Sequence, residues 1–343
     1  MTGAHNVRRT SRTTVGLALL AALAIGAAGC ASGVANQAPS SAAAPSSSGS
    51  TNTTPSPSGS PRHDEAGVAV DKVESITPDP LHAREDVPSV YGAACQQNEA
   101  GSEAVSCIRG DEQGRTTVAV VGDSKVVQWL PALEKLASKN GWKLVIYGKS
   151  GCAFAAAVTS GLSGSEPYQS CVTWNQNVMD KLTAEKPDYV ITSQGKATAL
   201  VNRQKVGTTA GREALADGLR TRWSQLVEAG IGVVVIRDTP YPGMQVDLCV
   251  SEHMDKLTEC TYERNRGMAG GGGLTQLAAL EGSRGVNFID LNNAICPAEQ
   301  CPPVIGNVLV YRQGSHITAT FARTLAPRLE SALASAGLAI KDG

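Results

Sequence analysis

Val118-Ala-Val-Val-Gly-Asp-Ser-Lys-Val-Val-Gln-Trp-Leu130 is the stretch from which the fold is read. Thr117 to Val121 is a short, apolar, β-branched run, which suits a buried strand. Gly122-Asp123 breaks it. From Ser124 the apolar residues Val126, Val127, Leu130, Leu133 and Leu136 take helical spacing. Ser124 therefore sits at a strand-to-helix turn, with its hydroxyl exposed near the positive end of a helix. Taken alone, Gly-Asp-Ser makes Ser124 no more than the N-cap of that helix, so the rest of the chain has to decide.

Working outward, Lys143 to Tyr147 reads as a second strand, followed by Gly148-Lys-Ser-Gly-Cys152. Asp188 to Thr192, Ile231 to Ile236 and Val286 to Leu291 read as the third, fourth and fifth. Helical spacing recurs from Cys171 to Lys186, from Arg212 to Glu228, and in a last helix carrying Ile317, Phe321, Leu325, Leu329 and Leu333. Pro131 and Pro327 lie inside helical patterns and predict kinks. Such alternation gives a parallel sheet covered on both faces, with active groups at the carboxyl ends of the strands. Ser124, Gly151, Ser193-Gln194 and His316 all follow predicted strands. Gly270 to Gly273 does not, and reads as a flexible loop rather than a phosphate cradle.

Four phrases together carry a resemblance: Val120-Val-Gly-Asp-Ser124, Gln128-Trp-Leu-Pro-Ala-Leu133, Lys149-Ser-Gly-Cys152 and Tyr311-Arg-Gln-Gly-Ser-His-Ile-Thr318. From about Pro78 to Ala336 the chain resembles the SGNH/GDSL hydrolase superfamily. More narrowly, it resembles the SGNH domain associated with bacterial membrane acyltransferase-3 proteins. The resemblance implies a three-layer, doubly wound parallel α/β sheet of flavodoxin-like topology. It also implies Ser124 as nucleophile and His316 as its base. The implied oxyanion donors are the main-chain N–H groups of Ser124 and Gly151, with Gln194 standing where many members have asparagine.

The chain departs from the family pattern in two further places. Members place aspartate three residues before the histidine; here that residue is Gln313, which can accept a hydrogen bond but brings no charge to an imidazolium. The histidine is then oriented by Gln313 or a main-chain carbonyl, unless Asp238 or Asp290 serves it instead. Lys125 follows the serine where histidine is common in this subgroup, and reads as a solvated first-turn residue.

Residues 1–30 read as an export signal. Arg8, Arg9 and Arg12 precede an apolar run from Val15 to Gly29, which is short for a membrane span. The run closes on Ala27-Ala-Gly-Cys30, resembling a lipoprotein signal in which Cys30 takes the lipid. Residues 31–65 are dominated by Ser, Ala, Pro, Thr and Gly and predict a disordered tether. Residues 66–343 suffice for one α/β domain. The net charge of −1 gives no indication of nucleic acid or another polyanion. Eight cysteines remain beside Cys30. They allow 105 pairings but fall into four close pairs: Cys95–Cys107, Cys152–Cys171, Cys249–Cys260 and Cys296–Cys301. A zinc site is the rival reading, with no Cys-x-x-Cys or nearby histidine pattern behind it. No metal or other cofactor is expected.

Two function classes follow. The first is an exported, lipid-anchored serine esterase or O-acyltransferase acting on acyl groups of cell-envelope glycans or lipids, with a membrane acyltransferase-3 protein as a partner. The second is a degraded domain that binds a glycan or partner without turnover.

Overall fold

The computed structural model describes residues 68–340, apart from 92–94, 163, 165 and 339. The expected signal with Cys30 and the expected tether lie outside the described residues.

The sheet has seven strands. β1 (Gln96–Gln97) and β2 (Cys107–Gly110) both pair with β4 (Trp142–Lys149), the first parallel and the second antiparallel. β4 is followed across the sheet by β3 (Thr116–Gly122), β5 (Tyr189–Ser193), the strand Gly232–Ile236 and the strand Val286–Ile289, all parallel. The five strands from β4 across to Val286–Ile289 are those the sequence predicts. The edge strands β1 and β2 are too short and too polar to register as apolar runs, and the Cys95–Cys107 disulfide ties them together.

Strand alternation sorts the core into two halves. Val118 and Val120 face one side with Leu144, Ile146, Ile191 and Val234. There they meet Leu133, Phe321, Leu329 and Leu333 from the helix α2 (Leu130–Asn140) and the C-terminal helices. Ala119 and Val121 face the other side with Val190, Val233 and Val235. There they meet Trp174, Leu215, Leu219 and Trp223 from α3 (Gln169–Glu185) and α4 (Thr208–Glu228). The result is the three-layer α/β sandwich expected.

The order of β4, β3 and β5 places the site. From β3 the chain moves to β4 on one side, and then crosses to β5 on the other. The carboxyl end of β3 is thus a switch point, where such sheets open a crevice. Gly122 ends β3 level with Gly148 of β4 and Ser193 of β5. Its φ is +146°, and a Cβ there would lie 2.6 Å from the Ser193 carbonyl oxygen. Glycine is what lets the chain leave the sheet at this point.

Three local expectations are corrected. Pro131 and Pro327 do not kink helices; each stands in the first turn of a new one, α2 and Ala326–Ser335, where a missing N–H costs nothing. Gly270 to Gly273 is not a loose loop. Gly270 closes the helix Arg264–Gly270, Gly273 opens the helix Gly273–Leu280, and a Cβ on Gly272 would lie 2.6 Å from the Gln194 carbonyl. The glycines there permit close packing against the end of β5. His316 does not end a strand of the main sheet; it lies in a small antiparallel hairpin, Tyr311–Gln313 with His316–Ile317.

The four disulfides join the cysteine pairs that lie close in sequence. Among the described residues no helix is long and apolar enough to cross a membrane, and no His/Cys/Asp/Glu group could hold a metal ion.

Candidate active site

Ser124 opens the one-turn helix α1 (Ser124–Val127) directly after β3. Asp123 caps that helix. One carboxylate oxygen accepts from Lys125 N (2.8 Å), and the other accepts from Gly195 N just beyond β5 (2.9 Å). One side chain thus ties the serine turn to the neighbouring loop. Burial pushes the Asp123 carboxyl up to about 6, against the two amide bonds that favour its anion.

His316 Nε2 and Ser124 Oγ are 2.7 Å apart, within hydrogen-bond reach although 192 residues separate them in sequence. The other partner of the imidazole is the main chain of Gln313, while the Gln313 side chain points to solvent. Of the two alternatives at this position, the structure has the main-chain one. Asp238 and Asp290 are engaged elsewhere: Asp238 with Lys125 and Gly272 N, Asp290 with Arg237 and Asn292 N. The hairpin bearing His316 is held from both sides. Ile317 N donates to Gln128 Oε1 (3.1 Å), and Thr318 caps the next helix by accepting from Phe321 N (2.9 Å). Burial, together with the cations Lys125 and Arg312, pushes the imidazole down to about 3. The ring is therefore neutral at ordinary pH.

Lys125 overturns its reading as a solvated residue. It is only 3% exposed. Its Nζ pairs with Asp238 Oδ1 (3.1 Å) and donates to Thr239 Oγ1 and to the Ser315 carbonyl (2.5 Å each). Thr239 Oγ1 donates to the same carbonyl (2.7 Å). The other Asp238 oxygen accepts from Gly272 N (2.6 Å). A buried ion pair thus joins the serine turn, the end of the Gly232–Ile236 strand, the glycine run and the residue before His316. Burial lowers the Lys125 pKa and Asp238 opposes the shift. Sequence reasoning named Asp238 only as an alternative partner of His316 and missed Thr239, although both closely follow a predicted strand, where such a sheet puts its active groups.

Gln194 is also corrected. Its side chain is buried away from the crevice, with Oε1 accepting from Gln276 Nε2 (3.1 Å). It is Gly195 and Lys196 that reach the cavity beside Ser124. That cavity, about 520 Å³, is lined by Ser124 and His316, by Gly151 beyond β4, and by Tyr241, Arg266 and Gly271 on the far wall. Gly151 precedes Cys152, whose disulfide to Cys171 fastens this loop to α3. The arrangement offers a hydroxyl with a neutral base at a helix N-terminus, which is what nucleophilic attack on an acyl carbon requires.

The family model described as SGNH domain (fused to AT3 domains) matches residues 94–331. No curated protein matches the chain. Among solved structures, the periplasmic domain of a lipopolysaccharide acetyltransferase from Salmonella ser. Paratyphi A is similar. It is 13% identical, with a TM-score of 0.52, over 75% of this chain and 98% of that one. An acetyl-xylooligosaccharide esterase from Geobacillus Stearmophilus is 15% identical over 68% of this chain and 100% of that one, with a TM-score of 0.35.

Proposed function

Because the chain belongs to the family of SGNH domains fused to AT3 domains, we propose that it is a serine esterase or O-acyltransferase acting on acylated glycans or lipids of the cell envelope. The observation that carries this reading is the 2.7 Å contact between Ser124 Oγ and His316 Nε2 in an open cavity at the switch point of the sheet. In the proposed reaction His316 takes the hydroxyl proton as Ser124 attacks the acyl carbonyl. The main-chain N–H groups of Ser124 and Gly151 face the oxyanion. His316 then returns the proton to the leaving alcohol, and water or an acceptor hydroxyl releases the acyl group. The Gln313 carbonyl holds the ring in place of a carboxylate.

Four disulfides fit an oxidising compartment. In the proposed organisation residues 1–30 direct export, Cys30 carries a lipid, residues 31–65 are a tether and 66–343 are the domain. The family description brings a membrane acyltransferase-3 protein into the proposal as partner.

The test is hydrolysis of a short-chain acyl ester by the purified domain, with Ser124→Ala and His316→Ala beside it. Turnover that falls at least about 10³-fold in each variant supports the reading, in line with removal of a triad member. The lack of a carboxylate partner for His316 among the described residues favours the second reading, a module that binds without turnover. No hydrolysis by folded wild type, together with measurable glycan binding, would select it.

A further inference from the structure

The site opens onto positive charge that nothing among the described residues neutralises. Arg266 and Lys196 line the cavity that holds Ser124, and both are exposed. A second cavity of about 200 Å³ adjoins it, sharing Lys196 and Gly271 as walls and adding Arg212. Among the described residues, none of these three side chains has a carboxylate or hydrogen-bond partner. The acidic residues lining the first cavity are both committed: Asp238 to Lys125 and Gly272 N, Asp123 to the amides of Lys125 and Gly195. No acidic residue lines the second.

The geometry around these cations is built. The Arg266 guanidinium packs over Gly243, where a Cβ would lie 3.4 Å from Nη2. Tyr241, 43% exposed, packs over Gly270, where a Cβ would lie 2.9 Å from the tyrosine Cβ. A half-exposed aromatic ring in the same cavity as Arg266 and Lys196 suits a sugar face with an acid group on it. The chain's net charge of −1, which gives no indication of a polyanion, conceals this local separation of charge.

We infer that the acylated substrate is an anionic glycan, whose carboxylate or phosphate groups on sugars flanking the ester are held by Arg266, Lys196 and Arg212. This deepens the proposed acyl-transfer reading and rests on it for the position of the ester.

The experiment has a binding arm and a turnover arm. In the first, Ser124→Ala protein is titrated with acetylated uronate-containing oligosaccharides, with acetylated phosphate-bearing oligosaccharides and with neutral acetylated oligosaccharides of the same length. Tighter binding of an anionic series is expected, weakening as salt is raised through the range where exposed charges are screened. The two anionic series distinguish carboxylate from phosphate. In the second arm, the ratio of kcat/KM for the preferred anionic oligosaccharide to that for the neutral one is compared between wild type and Lys196→Gln/Arg212→Gln/Arg266→Gln. The ratio should fall roughly tenfold, since each exposed ion contact contributes a few-fold at most. Thermal denaturation checks that the triple variant is folded. Equal binding of charged and neutral series, or an unchanged ratio in the folded triple variant, overturns the inference. Anionic-selective binding without any turnover leaves the inference standing and overturns the acyl-transfer reading instead.

Discussion

At the scale of single residues the site depends on how His316 is held. Among the described residues no carboxylate touches it. Its supports are the Gln313 main chain, the Gln128 and Thr318 contacts that fix the hairpin, and the Lys125–Asp238 pair that clamps Ser315. Removing one partner of a buried pair leaves an uncompensated charge and costs about 3–5 kcal/mol. Lys125→Met should therefore destabilise the protein by about that much in chemical denaturation. Lys125→Met/Asp238→Asn, which leaves no lone charge, should recover part of the loss. A double variant no more stable than the single one would contradict the pairing. The same lysine sets a pH response. His316 is held down to about 3 by burial and by Lys125 and Arg312, so the base is neutral well below the usual histidine range. The acid limb of kcat/KM should therefore fall below about 6.5, the free histidine value, and move upward in Lys125→Met/Asp238→Asn. A wild-type limb at or above that value would contradict the assignment. The linkage has the same sign: a depressed histidine pKa gives stability that is present above the unfolded value and lost as pH falls toward the folded one.

At the scale of elements, the turn after β3 bears the most constraint. Gly122→Ala would place a Cβ 2.6 Å from the Ser193 carbonyl at a φ of +146°. It should cost about 1–3 kcal/mol from backbone strain alone, with further loss from parting β3 and β5, read as a lower denaturation midpoint. A midpoint equal to wild type would show that the junction yields. Cys152→Ser/Cys171→Ser should cost about 3 kcal/mol on the chain-entropy model. It should also lower ester turnover, because the bridge fastens the loop carrying Gly151. Lost stability with full turnover would separate the bridge from the site. Much of this level was legible in the sequence. Apolar, β-branched runs marked the five strands from β4 to Val286–Ile289, and Ser124 and Gly151 follow β3 and β4 as expected. The illegible part has a physical cause. Whether Lys125 is solvated or buried depends on Asp238, more than a hundred residues away, and no local pattern encodes that contact. Gln194 followed the right strand, but its side chain turns toward Gln276, a choice made by packing between layers.

At the scale of the whole molecule, the proposal joins an export signal, a tether and a catalytic domain. If Cys30 carries a lipid, Cys30→Ala should move the protein from the membrane fraction to the soluble one. Retention at wild-type levels would remove the anchor from the account and leave the domain untouched. The central claim is that Ser124 is a nucleophile activated by His316. The most direct measurement is mass-spectrometric mapping of the adduct formed by a fluorophosphonate on the folded domain. The expected result is one adduct, on Ser124, absent in Ser124→Ala and formed much more slowly in His316→Ala. An adduct on another residue, or none on a folded wild-type protein, would contradict the claim.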